Sequence, residues 1–218
     1  MNLDRLALGC PLPRRFLQRI QRGTMKYSYK GVPTYKDPFD LALYQMLLWE
    51  QKPRTLIEIG SKSGGSALWF ADTLRNFGCD CTVHSIDLQP PAIEIPGVVF
   101  YRGDGRNLAG TLSPDVLSAL PRPLLVIEDA DHRPETTLAV LRFFDRWLRA
   151  GEYIVVEDGI IDDLFIQEVA AGFAGGPRRG IGDFLRERGD DYEIDVRLCD
   201  FFGDNMTWNV NGYLRRLR

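Results

Sequence analysis

Apolar positions in this chain follow two rhythms that alternate along its length. Short unbroken runs read as buried strands: TLIEIG (Thr55–Gly60), CTVHSID (81–87), GVVFYRGD (97–104), PLLVIED (123–129) and EYIVVED (152–158). Between them the spacing turns helical, first over Ser66–Phe77, closed by Gly78, then over a polar stretch. A third helical segment is ETTLAVLRFFDRWLRAG, with Gly151 past its end. Ahead of the first strand, PFDLALYQMLLWEQ puts Leu41, Tyr44, Leu47 and Leu48 on one helix face, with Asp37 as N-cap, Pro38 at the first helical position and Pro53 as the stop. Strands alternating with helices predict an α/β fold, a Rossmann-like doubly wound sheet that is mostly parallel.

The two ends of the chain read differently. PLPRRFLQRIQRG is an amphipathic helix ended by Gly23, followed by irregular sequence through GVPTYKDP. The division expected is an N-terminal segment over 1–36 and a main domain over 37–218. After Asp162, AAGFAGGPRRGIG reads as a glycine-rich connection and DFLRERG as a helix. YEIDVRLCDFF and TWNVNGYLRR read as an antiparallel C-terminal strand pair. Trp49, Phe70, Phe143 and Trp147 fall on helix faces expected to pack on the sheet, and His84 lies inside a strand as a packed core residue. Tyr27, Tyr29 and Tyr35 suit either a substrate mouth or a homo-oligomer contact.

Composition narrows the function classes. With 218 residues, 44% of them hydrophobic, and a formal charge of −3, the chain has the core of one sizeable domain and no basic footprint for nucleic acid. Arg215, Arg216 and Arg218 read as a solvated tail. No apolar run is long enough to span a membrane and no signal pattern is seen, so a cytoplasmic protein is expected. Cys10, Cys79, Cys81 and Cys199 lack zinc-ligand spacing and read as reduced thiols.

The candidate chemistry gathers at the strand ends. EIGSKSGGSA occupies the first strand-to-helix turn, where doubly wound folds bind nucleotides. Its glycines at 60, 64 and 65 do not have dinucleotide spacing. Glu58, read as pointing into the crevice, would repel a pyrophosphate and suits a cationic ligand without phosphate. S-adenosylmethionine carries a sulfonium, an ammonium and an adenosine. Asp87 ends the second strand, where an acid accepts ribose hydroxyls, and Asp104 follows the third within reach of adenine. The cofactor contacts expected are therefore Glu58, Gly60, Ser61, Gly64, Ser66, Asp87 and Asp104, with Asp129 at the boundary with a metal.

Four segments carry a resemblance. GVPTYKDPFDLALYQMLLWEQKPRTLIEIGSKSGGSALWFAD, VIEDADH, GEYIVVEDGI and NVNGYLRR, in this order, resemble the cephalosporin hydroxylase-like family, which includes rhamnosyl O-methyltransferases. The resemblance runs from about residue 25 onward. It implies a class I methyltransferase fold, S-adenosylmethionine as cofactor and a divalent metal, usually Mg²⁺; it does not imply hydroxylase activity. Two features depart from the family: Glu128, where an apolar residue is usual, and the arginine pair Arg178 and Arg179.

Convergence of the strand ends argues for the same metal. Asp129 after the fourth strand and Glu157 and Asp158 after the fifth open on one edge of a parallel sheet, and three clustered carboxylates repel unless a hard dication joins them. The resemblance puts the metal positions at the same three residues. A base must take the proton of the acceptor hydroxyl. Related sugar methyltransferases imply Asp131, two residues past Asp129, with His132 as the alternative. The activity expected is Mg²⁺-dependent O-methylation of a small hydroxylated molecule such as a sugar or natural-product intermediate. A nucleotide-dependent oxidoreductase and a cofactor-binding protein without methyl transfer are the rival readings.

Overall fold

In the computed structural model, which describes residues 3–218, a 3-10 turn (Leu3–Ala7) and helix α1 (Arg14–Thr24) precede a hairpin of two-residue strands, β1 (Ser28–Tyr29) and β2 (Val32–Pro33). Helix α2 (Pro38–Gln51) begins as its capping sequence predicts. The Asp37 carboxylate accepts from the amides of Phe39 at 2.9 Å and Asp40 at 3.1 Å, with proline in the first turn.

The alternation then runs β3 (Thr55–Ile59), α3 (Gly65–Asn76), β4 (Thr82–Asp87), β5 (Val98–Arg102), α4 (Pro114–Ala119), β6 (Leu124–Glu128), α5 (Pro134–Asp145) and β7 (Tyr153–Val156). Short helices α6 (Ile161–Leu164) and α7 (Gln167–Ala170) lead to α8 (Gly176–Arg188), β8 (Tyr192–Ile194), α9 (Val196–Cys199) and β9 (Tyr213–Arg216). The seven strands from β3 onward form one sheet in the order β5-β4-β3-β6-β7-β9-β8; β3 to β7 are mutually parallel, and β9 lies antiparallel between β7 and β8. The doubly wound, mostly parallel fold is the one the alternation predicts.

Two apolar layers clamp this sheet. On one face Ile57, Ile59, Val126 and Ile154 pack with Val140 and Phe144 of α5 and Ile181 and Phe184 of α8. On the other Leu56, Leu125, Ile127 and Val155 pack with Leu43, Tyr44 and Leu47 of α2 and Phe70 of α3. Leu17 of α1 is fully buried in a third cluster with Ile160, Leu164, Trp208 and Val210, which ties the N-terminal segment to the loop before β9. No described helix is long and apolar enough to cross a membrane.

Several expectations change. The GGPRRGIG stretch is not a connection but the first turns of α8, started by Pro177; Gly180 lets α8 approach α5, since a Cβ there would come within 2.9 Å of the Pro134 carbonyl oxygen. The C-terminal strand pair is shorter than its apolar runs, because Asp195 caps α9 immediately after β8. Trp49 does not pack on the sheet: it is 54% exposed, meets Phe77 edge-on and carries the Lys52 ammonium over its ring. Arg216 is not a solvated tail residue but pairs with the buried Asp145. His84 is half-buried, stacked on Tyr101 and 2.9 Å from its hydroxyl.

Candidate active site

The parallel ladder continues past the strand ends, and this aligns the chemistry. Asp129 donates its amide to the Ile59 carbonyl at 2.8 Å, and Glu157 donates its own to the Glu128 carbonyl at 2.9 Å. The residues following β3, β6 and β7 therefore stand side by side at one edge. They line a cavity of about 1070 Å³ whose walls come from the β3–α3 loop, the ends of β4 and β5, the 129–132 loop, α6 and Trp208.

The β3–α3 loop is shaped by two glycines with positive φ, Gly60 (111°) and Gly64 (78°). A Cβ on Gly60 would stand 2.0 Å from the Asp129 carbonyl oxygen, so only glycine lets β3 and β6 end this close together. Asp87 stitches the loop, accepting from the amides of Ser61 and Lys62, each at 2.9 Å, and of Gln89 at 2.8 Å. A carboxylate offers about four acceptor positions, so these bonds leave room for a ribose hydroxyl. Asp104 accepts from the Arg106 amide at 2.9 Å and also lines the cavity.

Of the expected cofactor contacts, Gly60, Ser61, Ser66, Asp87, Asp104 and Asp129 face the cavity; Glu58 and Gly64 are not among its lining residues. Strand alternation explains Glu58, which shares the Leu56 face and is wholly buried beneath the loop rather than pointing into the crevice. It accepts from Ser85, which is linked to Ser61 at 2.6 Å; burial pushes its carboxyl up, and its Oε1 has no partner. Glu128 is turned away by the same alternation. Thr137 donates to it at 2.8 Å, and burial pushes it to about 7.

At the far wall, the carboxylates of Asp129 and Asp158 and the imidazole of His132 each offer a ligand atom, all within 4.8 Å of one another. His132 Nε2 is 3.4 Å from Asp158 Oδ2. Both residues hold left-handed φ values (57° and 56°) without being glycine, strain of the kind that clusters at functional sites. Burial opposes a charged His132, but Asp158, Asp129 and Glu128 outweigh it and hold the imidazole above its ordinary value. Two carboxylates suit Mg²⁺, a hard cation that takes oxygen ligands, so the acids present fit the expected metal, with the imidazole beside them.

Glu157 is engaged elsewhere. Its Oε1 accepts from Tyr44 at 2.6 Å and its Oε2 from Lys36 at 2.5 Å, while Lys36 also donates to Asp129 Oδ2 at 2.6 Å. Asp129 and Asp158 thus stand together with His132 beside them, and Glu157, which lines the same cavity, is tied to Asp129 through Lys36. Asp131, the first choice of base, also lines the cavity, where it pairs with Arg106 at 2.6 Å. Burial raises its carboxyl, but Thr136, the Arg133 amide and Arg106 together hold it below the ordinary value. A depressed, half-exposed carboxylate is a poor base.

Sequence reading missed Lys36 and Tyr44. Both stood in quoted segments, Tyr44 as a core-facing residue and Lys36 in the irregular stretch before the Asp37 cap. That cap was the available signal, since it fixes Lys36 at the start of α2, next to the sheet edge. Tyr35 lines the cavity with the Lys62 ammonium 4.0 Å from its ring centroid, which favours the mouth reading for this one of the three tyrosines. Arg178 is accounted for by ion pairs at 3.1 Å to Asp162 and Asp163, which fasten α8 to α6.

The family described as rhamnosyl O-methyltransferase/CmcI matches residues 21–96 and 113–217. A rhamnosyl O-methyltransferase of Mycobacterium leprae (strain TN) is 32% identical over 196 residues, covering 87% of this chain and 82% of that protein. A solved CmcI structure with Mg and SAM superposes with a TM-score of 0.69 at 27% identity, covering 89% of this chain and 78% of that one. A Bacillus cereus O-methyltransferase in complex with SAH shares the fold, with a TM-score of 0.51 at 14% identity over 94% of this chain and 90% of its own.

Proposed function

The chain belongs to the rhamnosyl O-methyltransferase/CmcI family, and from that premise we propose that it is an S-adenosylmethionine- and Mg²⁺-dependent O-methyltransferase whose acceptor is a hydroxyl of a glycoside or a hydroxylated natural product. The observation that carries the reading is the Asp129–His132–Asp158 cluster in the same cavity as the glycine loop. S-adenosylmethionine supplies the methyl group, and Mg²⁺, when bound, supplies a Lewis acid that lowers the pKa of an alcohol.

The chain's own residues supply the rest. Gly60 and Ser61 let the backbone approach the cofactor, and Asp87 and Asp104 offer acceptors to its ribose and adenine side. Asp129 and Asp158 hold the cation, with Glu157 behind them. His132, standing beside the cation site rather than in it, would take the proton of the acceptor hydroxyl at Nε2 as that oxygen is methylated. Asp158, 3.4 Å from that nitrogen, stabilises the imidazolium.

Incubation with labelled S-adenosylmethionine and a panel of rhamnosides and other glycosides, in Mg²⁺ and in EDTA, tests the proposal. Methyl ether formation that stops in EDTA is expected. Transfer indifferent to EDTA removes the metal from the reading; tight NAD binding without any response to S-adenosylmethionine overturns it entirely.

A further inference from the structure

Lys36 is the buried charge that the chemistry above leaves without a task. It is 5% exposed, yet its ammonium lies 2.6 Å from Asp129 and 2.5 Å from Glu157, bridging residues that follow two neighbouring strands, β6 and β7. An ammonium within hydrogen-bond distance of two carboxylates is held as a cation. Tyr44 completes the shell of Glu157 from the other side, at 2.6 Å. A lysine needed only for packing would not be enclosed by carboxylates in the wall of the cavity.

We propose that Lys36 is a positioning residue, the resident cation of the acidic cluster, which holds the Asp129 and Glu157 carboxylates in place and sets how tightly the cluster takes a divalent ion. Resting on the metal reading above, this role has two consequences. Without a divalent ion, Lys36 balances carboxylates that would otherwise repel each other. With one, its fixed positive charge opposes the incoming dication, so the site binds Mg²⁺ more weakly than its carboxylates alone would. Sites of this kind tune affinity through their charge count.

The test measures cation binding and stability rather than turnover. Lys36→Met keeps most of the side chain's length and removes its charge. In EDTA the variant should unfold at a lower temperature than the wild type, and Lys36→Met combined with Glu157→Gln should recover part of the loss, because the uncompensated carboxylate is gone. In calorimetric titration with Mn²⁺ or Mg²⁺, Lys36→Met should bind about tenfold tighter or more, since a unit charge at this range acts strongly on a dication. Lys36→Arg, which keeps the charge, should stay near the wild type. Should Lys36→Met not fold in EDTA, recovery of the folded protein on adding Mg²⁺ supports the role, and failure to recover overturns it. Unchanged or weaker cation affinity in folded Lys36→Met makes Lys36 a merely structural residue. A wild-type protein that binds no divalent ion overturns the proposed function, and this role with it.

Discussion

If His132 is the base, replacing it should remove most of the rate while replacing Asp131 should not. His132→Asn is the informative substitution, because asparagine tolerates the left-handed backbone that His132 adopts at φ 57°; the change removes the imidazole without forcing the loop. General-base contributions run to about 10²–10⁴, so kcat should fall by roughly that factor in saturating cofactor and Mg²⁺. Asp131→Asn loses only a half-exposed pair with Arg106. Such pairs contribute about 0–1 kcal/mol, which limits the effect to roughly fivefold. The metal-free protein carries a second signature. The surrounding carboxylates raise the folded pKa of His132 above its ordinary value, despite burial. The stabilisation this gives is full below about pH 6.5, the unfolded value, and is lost as pH rises through the folded one. Urea unfolding in EDTA at acidic and alkaline pH should show that loss in the wild type and a flatter profile in His132→Asn. A variant pair with the rates reversed, Asp131→Asn crippled and His132→Asn active, refutes the assignment.

Other perturbations test the supports of the site. Tyr44→Phe leaves Glu157 Oε1 without the donor it has at 2.6 Å; an unsatisfied buried acceptor costs about 1–3 kcal/mol. For a domain of this size the melting temperature should then drop by roughly 2–12 °C, and an unchanged melting curve argues against a tight Tyr44–Glu157 bond. Gly60→Ala drives a methyl into the Asp129 carbonyl oxygen, so S-adenosylhomocysteine binding measured by calorimetry should collapse. Gly172→Ala, with nothing within 4 Å, is the control that should bind normally. Asp158→Asn should abolish Mg²⁺-dependent turnover with S-adenosylhomocysteine affinity nearly intact; loss of both together would move Asp158 into the cofactor site.

The sequence made most of the fold legible because its strands are apolar on both faces and its helix starts are chemically marked. Asp37–Pro38 sets the start of α2 by side-chain chemistry that acts over three residues. Local signals failed where distant partners decide the outcome. Gly176 to Gly182 reads as a loop by propensity, yet it forms the start of α8, with Gly180 packed against Pro134 and Thr137 of α5. The site divides along the same line. Acids at strand ends can be read from the order of residues, so the placement of Asp87, Asp104, Asp129 and Asp158 along one cavity follows from the sequence. Which way each side chain turns depends on pleat parity and on partners far along the chain. Glu58 and Glu128 share their strands' buried faces, and Asp131 is engaged by Arg106.

The antiparallel insertion of β9 has a consequence for how the molecule assembles. The strand next to β7 in space is separated from it in sequence by more than fifty residues, and β8, although synthesised earlier, pairs only with β9. While the chain emerges, β7 (Tyr153–Val156) therefore waits as an unpaired, wholly apolar edge, the kind of segment that invites intermolecular pairing. Glu157 and Asp158 follow this strand directly, and Val156 donates its amide to the Gly212 carbonyl only once that late segment has arrived. The acidic cluster is consequently among the last features to be fixed. Early truncation in this region should yield protein that aggregates through β7 rather than a smaller enzyme.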